Sequence, residues 1–181
     1  PVLKDLQRRG FLAGTDEHRR LSGCSELFLR WELGYSDRLR EALGLKRCRW
    51  QKGRNLKELP AAIERLAAEE GILVGGELGA CLLLGTEEDI GQATLHCRGD
   101  MLRLMLRLEL VPDPEGPVHL LQRFGMNDRW RGWQPFPAPL ADPLFLHAEI
   151  AAVLPHREEL LRQIYDRYLQ PRLTDVQEGK G

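Results

Sequence analysis

No run of about 18 apolar residues occurs in the sequence, so no segment reads as a membrane-spanning helix. The longest greasy stretch, GILVGGELGACLLLG, is interrupted by Glu77 and five glycines. The first residues, PVLKDLQRRGFL, lack the apolar core of a signal peptide. Paired metal-ligand spacings such as C-x-x-C or H-x-x-x-H are missing, so no metal and no cofactor is expected. The strained serine elbow G-x-S-x-G is missing too, and its nearest approach, LSGCSE at 21–26, follows no strand. There is no internal repeat, no low-complexity tract and no Ser/Gly linker. Cys24, Cys48, Cys81 and Cys97 are few and widely spaced, and read as reduced thiols of a cytoplasmic protein.

What is present is an ordinary globular composition, 43% hydrophobic and 29% charged, in 181 residues. A chain of this size buries about 70% of the surface its unfolded form exposes, enough for a self-sufficient core. Residues 1–170 therefore read as a single α+β domain, with 171–181 as a flexible C-terminal tail. The net charge of −1 conceals an asymmetry. Residues 1–60 hold 14 Lys+Arg against 8 Asp+Glu, whereas residues 61–181 hold 12 against 19. Such polarity suits an acidic partner, head-to-tail self-association, or two halves attracting each other within one fold.

Helical spacing sets Leu27, Phe28 and Trp31 on one face, and Ser36 is positioned to cap a second helix bearing Leu39, Ala42 and Leu43. A basic loop follows. PAAIERLAAEEG then starts with Pro60 in its first turn and stops at Gly71. Beyond it the period changes to two. Ile72–Val74, CLLL and ATLHC read as short strands, and VGGELG as a hairpin turn rather than a dinucleotide-binding turn, because Val74 stands where the first glycine is needed. MLRLMLRLEL alternates leucine with polar residues and is expected to pair with PVHLLQRF as a hairpin. A last helix, from about Pro155 to a stop at Pro171, carries Leu160, Leu161, Ile164, Tyr168 and Leu169. The expected fold is N-terminal helices, a central antiparallel meander of four to five strands, and a C-terminal helix packed on the sheet.

Two surfaces look like contacts. The first is NDRWRGWQPFPAPLADP, whose prolines favour an extended path and which offers Arg129, Trp130, Arg131, Trp133 and Phe136 as an aromatic and cationic anchor. The second joins Lys46, Arg47, Arg49, Lys52 and Arg54 to Trp50, the pairing of charge with a stacking surface used on nucleic acids. A winged-helix reading of that region meets an objection: the helix after it presents Glu64, Glu69 and Glu70 to any groove. A basic loop salt-bridged to that acidic helix is the plainer account. His147, Glu149, His156, Asp128 and Asp142 lie near the aromatic loop as candidate acids and bases, although carboxylates at helix starts usually cap backbone amides. His96 and Cys97 are neighbours in a strand and therefore point to opposite faces, which excludes a dyad.

The leading expectation is a non-catalytic accessory protein, such as an assembly factor, adaptor or regulatory subunit. It would bind a protein partner through the Trp/Arg/Pro loop and the basic loop. The alternatives are RNA or single-stranded DNA binding through the basic Trp50 loop, and a small enzyme with an acid/base site near His147 and Glu149.

Overall fold

The computed structural model describes residues 2–14, 18–51, 54–86, 89–123, 139–154 and 156–178. It is an α+β fold built on a five-stranded mixed sheet. The strands are β3 (Lys46–Trp50), β4 (Leu73–Gly75), β5 (Ala93–Cys97), β6 (Leu110–Pro112) and β7 (Val118–Gln122). Their order in space is β4-β5-β7-β3-β6. A small ribbon of β1 (Leu12–Ala13) and β2 (Arg20–Leu21) stands apart and follows the first helix, α1 (Val2–Arg8).

The expected meander is corrected by the topology. β5 and β7 run parallel, and β3, from far earlier in the chain, inserts antiparallel between β7 and β6. The expected hairpin between MLRLMLRLEL and PVHLLQRF therefore does not form. Alternation along the strands sends Cys48, Trp50, Val74, Ala93, Leu95, Cys97, Val118 and Leu120 to one face. There they meet Leu59, Ile63 and Leu66 of α4 (Leu59–Glu69) and Leu104 and Met105 of α6 (Met101–Arg107). α4 begins with proline in its first turn and is followed by left-handed Gly71, as the sequence predicts.

The opposite side carries a second core. Phe28, Tyr35, Leu73, Phe145, Leu146, Ile150, Leu160 and Ile164 pack together there, from α2 (Cys24–Gly34), α7 (Pro143–Val153), α8 (Glu158–Ile164) and the sheet. The helix α5 (Gly76–Leu84) lies between the two cores, giving Leu78 to one and Ala80 and Cys81 to the other.

Four local expectations fail for identifiable reasons. MLRLMLR is helical because Asp100 accepts a hydrogen bond from Leu102 N–H as an N-cap, and Leu, Met and Arg favour helix over the β-branched preference of strands. GELGACLLL is α5 and not a turn followed by a strand; left-handed Gly76 turns the chain out of β4, and left-handed Gly85 ends the helix. The basic loop is the strand β3. Ser36 caps nothing, because α2 runs through a π turn, Tyr35–Leu39, into α3 (Arg40–Ala42) with Gly34 at helical angles.

The last helix likewise does not stop at Pro171. α8 passes through a second π turn, Tyr165–Leu169, into α9 (Gln170–Glu178). Pro171 has no N–H to donate, and it sits just after the π turn, where the regular ladder has already shifted by a residue. This helix lies against α5 and α7, which separate it from most of the sheet.

Candidate nucleic-acid interface

β3 alternates between core and surface. Cys48 and Trp50 are buried, while Lys46, Arg47 and Arg49 are exposed. Arg54, beyond the strand, lays its guanidinium carbon 5.3 Å from the centre of the Trp50 ring. The indole is only 5% exposed, so it supports the arginine and presents no open face for a base. The acids near these cations hold them loosely: Arg49 Nε is 3.6 Å from Asp113 and Arg54 Nη2 is 3.9 Å from Glu109. Arg47 donates to the Pro114 carbonyl at 3.4 Å. Among the described residues the expected pairing of basic segment with acidic helix does not form: Glu69 of α4 and Glu70 just past its end bond to Arg107 at 2.7 and 3.0 Å, and Arg103 joins Glu70. Lys52 lies outside the described residues, as do Arg129, Trp130, Arg131, Trp133, Phe136 and Asp128.

On the sheet face away from α4, strand register lines up Arg47, His119, Thr94 and Gly75 across β3, β7, β5 and β4. His119 is joined by groups from the covering helix and loop. Arg40, just past the π turn, reaches His119 Nδ1 at 2.6 Å, and Gln92 Nε2 reaches the same atom at 2.5 Å. Burial first, then the charges of Arg40 and Arg47, pushes the His119 pKa down to about 4. Two residues further along β5, on the same face, His96 Nε2 lies 2.6 Å from Glu149 Oε1, although its N–H is poorly aligned for a hydrogen bond. Tyr35 O–H donates to the same carboxylate at 3.0 Å, and Gly76 N–H donates to it at 2.5 Å. Burial alone would raise the Glu149 carboxyl, but His96, Gly76 and Tyr35 outweigh it and hold it below the ordinary carboxylate range. Burial, reinforced by Glu149, pushes the Tyr35 hydroxyl up.

Gly75 and Gly76 of VGGELG thus serve an internal anion. A Cβ at Gly75 would stand 2.5 Å from Glu149 Oε2, so only glycine admits the carboxylate. The sequence offers Glu149 as a candidate acid near the aromatic loop, but not Arg40, Tyr35, Gln92 and His119 as members of one cluster. The legible signal was the polar parity of Thr94, His96 and His119 within otherwise apolar strands.

The other candidate acids and bases have separate partners. His147 Nδ1 lies 2.5 Å from Glu32, and Asp142 caps α7 through Leu144 N–H while pairing with Arg172 at 2.9 Å. His156 is exposed. His96 and Cys97 do face opposite sides, Cys97 in the first core. All four cysteines are free and buried, and burial pushes Cys48 up and Cys97 to about 11. Among the described residues, no group of three or more His, Cys, Asp or Glu is arranged to hold a metal, and no helix is long and apolar enough to cross a membrane.

A family model described as transcriptional regulator, AbiEi antitoxin, type IV TA system matches residues 20–170. No curated protein and no solved structure matches the chain. The family match overturns the expectation of an accessory protein that works by binding a protein partner, and favours the nucleic-acid alternative.

Proposed function

Because the chain belongs to the AbiEi antitoxin family of transcriptional regulators, we propose that it binds DNA and that the exposed side of β3 contacts the phosphate backbone. The observation that carries this reading is a single strand holding Arg47 and Arg49 outward on one face, with Arg54 beyond its end and Lys46 exposed on the other face, against acids at 3.6 Å or more. Such exposed, loosely held cations exchange a weak intramolecular contact for phosphate at little cost. The buried Trp50 changes the character of the interface from base stacking to electrostatics. Residues 1–170 act in this reading as one α+β unit, in the cytoplasm, where the DNA is accessible.

Titration of a labelled duplex of about 30 base pairs by fluorescence anisotropy, between about 50 and 200 mM salt, tests it. Affinity should fall log-linearly with salt. Arg47→Ala and Arg49→Ala should each make the slope shallower by about 0.9 and weaken binding on any sequence. A double variant with the wild-type slope places the DNA elsewhere.

A further inference from the structure

The buried cluster around His119 holds more hydrogen-bond donors than acceptors. Arg40, Gln92, Thr94 and His119 are each at most 6% exposed. A guanidinium can only donate, so His119 Nδ1 is the acceptor and the ring proton sits on Nε2. That one lone pair faces both Arg40 and Gln92. Among the described residues, Arg40 Nε and Thr94 Oγ1 have no hydrogen-bond partner.

Charge is unbalanced in the same place. Among the described residues Arg40 forms no ion pair, and its one bonded neighbour is a histidine held neutral. Glu149, whose field reaches His119, has its oxygens engaged by Tyr35, His96 and Gly76. A buried cation with no carboxylate within ion-pair distance is a costly arrangement in a protein interior. The backbone of Gly76 packs closely beside the Thr94 hydroxyl, since a Cβ there would come within 2.8 Å of Oγ1.

We infer that Arg40, Gln92, Thr94 and His119 form a binding site for a small oxyanion, inorganic phosphate or a short carboxylate. The ligand supplies the missing counter-charge and the missing acceptors: a fork of N–H groups from Arg40, an amide from Gln92 and a hydroxyl from Thr94 match its oxygens. Enclosure by side chains this buried excludes a DNA strand, which sets the site apart from the open surface of β3. Arg47, opposite His119 in the sheet, belongs to both neighbourhoods.

Thermal unfolding of the full chain in phosphate, in acetate and in chloride of matched ionic strength tests the site. With the wild type, phosphate or acetate should raise Tm above chloride by roughly 3–6 °C per tenfold concentration beyond its Kd. Arg40→Met should abolish the rise. Gln92→Leu, which removes one donor and leaves the charge, should weaken the apparent affinity about tenfold. A response to phosphate alone identifies a phosphoryl group, and a response to acetate alone a carboxylate. The site is disproved if neither oxyanion exceeds chloride, or if wild type, Arg40→Met and Gln92→Leu respond alike. No DNA enters the measurement, so either failure leaves the reading of β3 untouched.

Discussion

At Glu149 four elements converge. Its carboxylate, on α7, receives Tyr35 from the first π turn, His96 from β5 and the first amide of α5. Replacing one carboxylate oxygen by an amide nitrogen removes the charge and leaves at least one buried donor facing another donor. Glu149→Gln should therefore lower unfolding free energy by about 3–5 kcal/mol, and Tyr35→Phe by about 1.5–3 kcal/mol. Urea denaturation monitored by circular dichroism gives both values, and a Glu149→Gln protein within about 0.5 kcal/mol of wild type would remove the carboxylate from this role. Glu149 itself was visible in the sequence as a candidate acid. Its partners were not, because Tyr35 lies 114 residues away and its orientation depends on a π turn that no local pattern announces.

At the scale of elements, α6 shows how a pattern can deceive. Leu102, Leu104, Leu106, Leu108 and Leu110 repeat every second residue, yet as a helix the segment buries Leu104, Met105 and Leu108 and exposes Leu106. A strand would bury Leu104 and Leu106 equally. The helix predicts instead that Leu104→Ala costs about 2–5 kcal/mol and Leu106→Ala less than about 0.5 kcal/mol in the same denaturation experiment. Equal losses would restore the strand. What the residues did disclose was α4, whose proline start, apolar spacing and glycine stop all agree. β3 stayed hidden because five cations crowd its neighbourhood, and its strand character comes from hydrogen bonds to β6 and β7 rather than from its own propensity.

Across the whole molecule, buried ionisable groups make stability depend on acidity. Folding keeps His119 neutral to about pH 4, whereas an ordinary histidine protonates near 6.5. Below pH 6.5 the unfolded chain takes up a proton that the folded chain refuses, so stability should fall by ~3 kcal/mol toward pH 4. Glu149 acts in the same direction at lower pH, since a carboxyl held below its ordinary 4.5 contributes stability that is lost as acid reaches its folded value. Urea midpoints at about pH 7, 6 and 5 in chloride buffer, for wild type and His119→Gln, check this. The wild type should lose stability across that window and the variant should lose less; a flat wild-type curve contradicts the assignment.

β3 takes both of its sheet neighbours from residues 110–122. During synthesis, at about 5–20 residues per second, the arginine-bearing strand waits several seconds on the ribosome before either flank exists. Any nascent or truncated chain that ends before residue 110 carries these cations on a strand with no ladder to join, so the surface proposed to meet DNA comes into being only when the later half of the polypeptide arrives.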